Sequence, residues 1–397
     1  MSHADILAAP SSSLRAARRA TNGFFLLSGI ATGAWAPMVP FAKSRLGLDE
    51  AQLGLLLLCM GAGSAGSMPL AGFFSHRFGN RHTLLFAGLV VCAGLPLLTV
   101  ATSPGLLGAA LVLFGGSLGV VDVAMNAHAV DVERLYGRPV MSSFHALYSL
   151  GGLAGSAGMS VLLGAGASLV GCGAAVGVLA VAIVVSQWPR LIAAPRDEAA
   201  AQRSAFTAPS GRTILLGLLC MAVFLAEGAM LDWSAVLLRA ARDVAISDAG
   251  LGYAAFSIAM ATGRLFGDRI TAELGPSQVV RYGSLAAAAG FALASALPWA
   301  ETSVIGFTLV GFGASNIVPV LFSAAGRIRG TTPGMAIATV TALGYAGMLA
   351  GPAVIGVVAR VTTLPLALGG VGLLLAGVSS AASIARAREM TTGEVTR

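Results

Sequence analysis

The chain returns repeatedly to apolar segments of about 20 residues, the length a helix needs to cross roughly 30 Å of hydrocarbon. Such segments fall near 21–42, 50–75, 82–100, 105–131, 141–164, 167–188, 213–238, 247–267, 277–297, 303–327, 333–359 and 363–385. In lipid a helix meets the hydrogen-bonding needs of its backbone from within. The pattern therefore predicts an all-α polytopic membrane protein with twelve transmembrane helices. Of the 397 residues 56% are hydrophobic and 10% charged, whereas a soluble domain carries about 25% charge. The 52 glycines suit helices that pack backbone to backbone. The lipid bilayer is thus one expected partner. Nucleic acid is not expected, because the net charge of +7 comes from arginines in short clusters between apolar runs.

Near the start, Arg15, Arg18 and Arg19, an apolar stretch and Ala34-Trp35-Ala36 imitate a secretion signal with its cleavage site. Pro37 directly after that site blocks cleavage, so an uncleaved first span is expected. Cys59, Cys92, Cys172 and Cys220 stand singly inside apolar runs. They read as small apolar fillers, with no disulfide framework, metal site or cofactor expected.

The spans are joined by short loops except for PRLIAAPRDEAAAQRSAFTAPSGR, which is polar and Pro-containing. It predicts an N-terminal six-helix bundle over 1–189, a linker over 190–212 and a C-terminal six-helix bundle over 213–397. With both termini in the cytoplasm, the basic residues divide nineteen inside to five outside, the bias that sets membrane orientation. The expected location is a bacterial inner (cell) membrane. The halves also repeat each other. GGLAG at 151–155 returns as GMLAG at 347–351, an offset of 196, and Gly79 returns as Gly275 at the same offset. Leu53-Gly54 matches Leu251-Gly252 at 198. A duplicated six-helix unit is how many transporters build two pseudo-symmetric bundles around a midplane site.

Several polar groups lie inside the apolar spans. Asp122 and Asn126 share a face of the fourth helix at i, i+4, with no basic residue in its apolar part. An ionisable group at that depth marks a pathway or a proton relay, or else makes a structural hydrogen bond. His145, about one turn inside the fifth helix, and His128, near the end of the fourth, are either relays or packing histidines. Tyr148 offers a hydroxyl one turn deeper than His145. Asn316, in the tenth helix shortly before Pro319, is either a solute contact or a bond between helices. Trp35 is a further candidate contact.

The stretch AEGAMLDWSAVLL at 226–238 places Glu227 near the middle of the seventh span, where each charge costs roughly 2.5–3.5 kcal/mol. A carboxyl there with no cation beside it rests uncharged, which suits it to carry a proton. Asp232 is five residues on, about 140° around the helix, so one regular helix cannot aim both acids at a single point. Glu227 is expected to face the central cavity and Asp232 to lie near the outer gate or against a neighbouring helix. Trp233 is either a sugar-stacking ring or an interfacial anchor.

After the second helix the chain reads GFFSHRFGNR, residues 72–81. This resembles the signature of the major facilitator superfamily, in which an aspartate usually follows the glycine by four residues. Gly72, Arg77, Gly79 and Arg81 fit; His76 stands at the aspartate position. The resemblance implies that this stretch stabilises one gating state through acid–base contacts at the cytoplasmic helix ends. GRLFGDRITAELG at 263–275 is a looser echo, with Asp268-Arg269 as further gating candidates. WAPMVPFAKSRLGL and DVAMNAHAVDVERLYGRPVMSSFHALYSLGGLAG are similar to the fucose-permease-like branch of sugar/H+ symporters. That branch uses a fourth-helix acid in proton coupling, a role Asp122 would fill here.

The expected function is secondary active transport, proton-coupled and working by alternating access on a small-molecule solute, by a monomer. Candidate proton-coupling groups are Asp122, Glu227 and His145; candidate solute contacts are Asn126, Tyr148, Asn316, Glu227 and Trp35. An efflux antiporter for drugs or cationic metabolites is the alternative. No GxxxxGK[ST] loop and no HExxH-type cluster occurs, which argues against a pump with its own ATP site and against an enzyme. No Arg or Lys is expected near the middle of any span, Arg264 coming closest towards the cytoplasmic end of the eighth, and this predicts a neutral polyhydroxylated or cationic solute.

Overall fold

The computed structural model describes residues 11–48, 50–192, 209–244, 251–328 and 331–385. Most of the expected linker lies outside the described residues. The first span is helix α1 (Ser12–Trp35), prolonged by a 3-10 turn (Ala36–Met38) and by α2 (Val39–Leu46). Single helices form spans two to nine: α3 (Glu50–Phe78), α4 (Asn80–Val100), α5 (Pro104–Tyr136), α6 (Met141–Gly164), α7 (Leu169–Gln187), α8 (Gly211–Arg242), α9 (Leu251–Leu274) and α10 (Pro276–Ala296). The tenth span is split into α11 (Ala300–Ala314) and α12 (Ile317–Ala325); α13 (Pro333–Val361) and α14 (Leu364–Ser380) complete the set.

Among the described residues nine helices are long and apolar enough to cross a membrane on those grounds alone. The other three have visible reasons for missing that threshold. Three arginines open α1, while α9 carries Arg264, Asp268, Arg269 and Glu273, and α14 is short. The chain is an all-α, twelve-span polytopic protein in two pseudo-symmetric bundles.

Two features make the internal repeat physical. Gly79 and Gly275 precede α4 and α10 with φ of 80° and 81° and ψ of 152° and 154°. That left-handed conformation is open to glycine at little cost, so the same sharp entry is built twice. Gly151 of α6 packs on the Leu26 carbonyl of α1, and Gly347 of α13 packs on the Met221 carbonyl of α8. A methyl at either glycine would collide with backbone, which explains why the GGLAG and GMLAG motifs hold these helix pairs at closest approach.

Two sequence expectations about span ends are corrected. Hydropathy stops the eighth span at 267, yet α9 continues to Leu274, where Gly275 and Pro276 end it. Arg264 therefore lies ten residues, about 15 Å, inside the helix rather than at its end. The tenth span breaks at Ser315-Asn316 because Pro319 has no N–H to give the carbonyl four residues back, that of Ser315.

Near one end of the bundle, bonds within each chain half hold the segments leading to the termini. Arg212 Nη2 donates to the Ile384 carbonyl at 2.9 Å, and Arg18 Nη2 to Ser143 Oγ at 3.2 Å. We refer to this end as the terminal face.

Candidate functional site

Midway through the bundle the two halves bring polar groups towards one another. From the first half, α5 supplies Asp122 and Asn126. The i, i+4 spacing lets Asn126 Nδ2 donate to Asp122 Oδ1 at 3.1 Å and to the Asp122 carbonyl at 2.9 Å. Asn126 is fully buried and its Oδ1 has no partner among the described residues. The Tyr148 phenol, on α6, interacts with Thr32 and lies within Coulomb range of Asp122, Glu227 and Arg264.

From the second half comes Glu227 on α8, and here the sequence expectation fails. Glu227 has a counter-charge: its Oε1 lies 3.7 Å from Arg264 Nη2. This is an ion pair too long to be a hydrogen bond, and Oε1 has no hydrogen-bond partner among the described residues. The guanidinium is anchored elsewhere. Its Nη1 donates to Ser149 Oγ of α6 at 2.9 Å, across to the first half, and its Nε to the Ser315 carbonyl at 3.3 Å. That carbonyl is the one Pro319 leaves free. A proline in α12 thus creates the acceptor that holds a buried arginine in α9. The expectation that no cation reaches the middle of a span is overturned, and with it the sequence-level argument against acidic solutes.

Sequence reasoning also passed over Tyr345 of α13 and Tyr253 of α9. The Tyr345 phenol interacts with Ser64 and senses Asp122, Tyr148 and Glu227, while its ring meets Phe224 edge-on at 5.7 Å. Tyr253 interacts with Ser257 and lies in range of Glu227, Arg264 and Asp232. The internal repeat was the available signal for Tyr345, since the offset of 196 pairs it with Ser149. For Arg264 the signal was the stop Gly275-Pro276, which extends the eighth helix by two turns.

The remaining candidates scatter. His145 sits between the Phe25 and Phe322 rings, centroids 5.2 and 5.8 Å away, with Nε2 unpartnered among the described residues. His128 has both nitrogens occupied, Nδ1 by Thr21 Oγ1 at 3.0 Å and Nε2 by the Ile192 N–H at 3.1 Å; it is the packing histidine of the two. Asn316 is the N-cap residue of α12, not a mid-helix residue, and its Nδ2 donates to the Gly263 carbonyl and Ser315 Oγ, both at 2.9 Å. Nδ2 thus makes a helix-to-helix bond, while the buried Oδ1 has no partner among the described residues. Trp35 is buried at the end of α1, its indole N–H without a partner among the described residues. Asp232 is exposed, whereas the Trp233 ring packs against Gly356 of α13.

At the terminal face Gly72 of α3 abuts Met335 and Ala338 of α13, and Arg81 lies over the Trp188 ring at 5.0 Å. Arg77 is exposed and the His76 side chain lies outside the described residues. Arg269 pairs with Glu273 at 2.8 Å in open solvent, away from the other half. Asp268 does the opposite. Its carboxylate accepts from the N–H groups of Ser142 (2.8 Å) and Ser143 (3.2 Å), the start of α6 in the first half. Glu133 takes the neighbouring N–H groups of Val140 and Met141 on one oxygen, both at 3.0 Å, and Arg327 on the other at 2.7 Å. Arg134 donates to the Gly326 carbonyl. These groups line a cavity of 520 Å³ between the halves.

The profile of the Major Facilitator Superfamily matches residues 23–238. An uncharacterised MFS-type transporter of Yersinia pestis is 46% identical over 361 residues, covering 90% of this chain and 93% of the relative. The chain belongs to the Major Facilitator Superfamily, and it is a membrane transporter rather than an enzyme. Among solved structures the E. coli fucose:proton symporter FucP superposes with a TM-score of 0.76 at 16% identity, over 93% of this chain and 98% of that one. The proton:xylose symporter XylE gives 0.77 at 13% identity, over 94% and 95%. At such identities the likeness concerns the fold alone.

Proposed function

We propose that this protein is a proton-coupled secondary transporter that moves a small, polar, sugar-like solute by alternating access of two bundles, residues 1–189 and 213–397, about the linker 190–212. It acts in a bacterial inner membrane with both termini cytoplasmic, so the terminal face is the cytoplasmic one. The observation that carries the reading is the meeting of Asp122, Asn126 and Tyr148 from one half with Glu227 and Arg264 from the other. Acids at that depth are expensive and serve charge movement. The unpartnered Asn126 Oδ1 and Glu227 Oε1 are acceptors facing a donor-bearing solute. The sugar:proton symporters of the same fold support the solute class.

Export of a cation fits less well, because an entering cation would meet Arg264 beside Glu227. The test is purified protein in proteoliposomes on a supported membrane, challenged with neutral monosaccharides including fucose and xylose. Uptake of a neutral solute with a proton carries positive charge inward; a current of the opposite sign, or saturable transport with no proton dependence, contradicts the reading.

A further inference from the structure

The cavity of 520 Å³ at the terminal face has more hydrogen-bond donors than the contact between the halves consumes. Arg134 and Arg138 line it from the end of α5 and the loop beyond, and Arg327, just past α12, lines it from the second half. Glu133 and Asp268 line it too, so three positive charges face two negative ones. Both carboxylates are already committed. Glu133 accepts from the Val140 and Met141 N–H groups on one oxygen and from Arg327 on the other. Asp268 accepts from the N–H groups of Ser142 and Ser143, using both of its oxygens.

The donors are in surplus. A guanidinium carries five N–H groups, and Arg134 spends one bond on the Gly326 carbonyl and Arg327 one on Glu133. Arg138 lies over the Tyr136 ring at 5.7 Å and makes no hydrogen bond among the described residues. Thr271, in the last turn of α9, lines the same cavity with 6% of its surface exposed. A helical threonine commonly returns its hydroxyl to the carbonyl four residues back, yet Thr271 Oγ1 has no partner among the described residues. Gly275 and Pro276 add the positive end of the α10 dipole to the wall. Spare donors beside saturated acceptors call for an anion. A carboxylate matches one guanidinium fork, whereas a phosphate group presents three acceptor oxygens to guanidiniums arriving from three directions. The cavity is also larger than a bare phosphate needs, within the roughly 300–1,000 Å³ of small-molecule sites; Met141, Val320 and Ser323 line the remainder.

We propose that this cavity is a binding site for a small phosphate monoester, its phosphoryl oxygens held by Arg134, Arg138, Arg327 and the Thr271 hydroxyl, and that it exists only while the terminal face is closed. The walls come from both halves, so parting them dismantles the site. A ligand that binds only the closed form raises the closed-to-open ratio about a hundredfold when it stands at a hundred times its Kd. The site stands without the transporter reading, but the origin of its ligand rests on it. With the terminal face cytoplasmic, the ligand is an intracellular ester of the kind that phosphoryl transfer to an imported hydroxylated solute produces. Its accumulation then holds the terminal face shut and slows further uptake.

The experiment is calorimetric titration of the full chain in lipid nanodiscs at fixed ionic strength, with glucose 6-phosphate and inorganic phosphate as probes. The ester should bind saturably and more tightly than inorganic phosphate. Arg138→Gln, which removes a charged donor outside the contacts between the halves, should weaken the ester about tenfold, and Thr271→Val about fivefold. Arg264→Gln, which takes the cation out of the midplane, should leave the affinity unchanged. Gly72→Leu lies outside the cavity but wedges a side chain between α3 and α13, and should weaken binding by parting the halves. Should that variant fail to fold, Gly72→Ala is the smaller wedge, its methyl pressing on Met335 Sδ at 2.8 Å. No saturable binding, tighter binding of inorganic phosphate, or wild-type affinity in both Arg138→Gln and Thr271→Val overturns the proposal. Loss in Arg264→Gln with retention in Arg138→Gln would move the ester to the midplane and overturn it as well. Wild-type affinity in the Gly72 variants would contradict the need for a closed face. Binding is read without transport, so failure here is distinct from failure to find uptake in proteoliposomes.

Discussion

The fifth and eleventh spans are counterparts in the repeat, yet their helices begin differently at the terminal face. The N-cap position of α6 is Val140, which has no side-chain acceptor, and the first four N–H groups go to two carboxylates, Glu133 and Asp268. At α13, Pro333 has no N–H, and Thr332 accepts the Met335 N–H at 3.3 Å. One helix caps itself; the other borrows an acid from the opposite half. The repeat offset of 196 puts Gly72 where the second half has Asp268, and Gly72 lies against Met335 of the self-capped helix with no side-chain acceptor to offer. The difference teaches that the latch is one-sided: a structural requirement of α6 has been converted into a bond between bundles.

The largest test of that comparison is Asp268→Asn. Losing a charge-assisted acceptor at a helix N-terminus is worth about 2 kcal/mol, which moves the closed-to-open ratio some thirtyfold towards open, read as the distance between spin labels at Leu135→Cys and Leu274→Cys, exposed ends of α5 and α9. Next is repair. Val140→Thr in the Asp268→Asn background supplies the self-cap that α13 has, and should return about 1 kcal/mol of thermal stability without restoring the closed state. Recovery of both together would show that the latch is only a cap. A smaller effect is expected from Thr332→Val, about 1 kcal/mol of destabilisation in a denaturation experiment, with no change in the spacing of the halves. Smallest is His76→Asp, which should fold normally and shift cysteine accessibility between the two sides only modestly; a folding failure would reveal a specific need for histidine.

The same contrast explains what the sequence disclosed. Twelve spans, the repeat and the depth of Asp122 and Glu227 were legible because hydropathy and spacing are local properties. Arg264 was misplaced because a polar helix end, GDRITAEL, looks like a loop to hydropathy although Gly275-Pro276 marks the true stop. Glu133 and Arg327 were unreadable as partners: 194 residues separate them, and only the docking of the bundles makes them a pair. The role of Asn316 turned on a proline three residues later, whose effect on Ser315 could be anticipated but whose beneficiary, Arg264, could not.

The central claim is that buried carboxyls couple proton movement to solute movement across both halves. Its most direct test is proton-driven monosaccharide accumulation in proteoliposomes for wild type, Asp122→Asn and Glu227→Gln, with exchange of solute at equal concentrations as the control. Both variants should lose uphill accumulation while expressing normally, and at least one should retain exchange, which needs no net proton transfer. Full uphill accumulation in both variants would contradict the account.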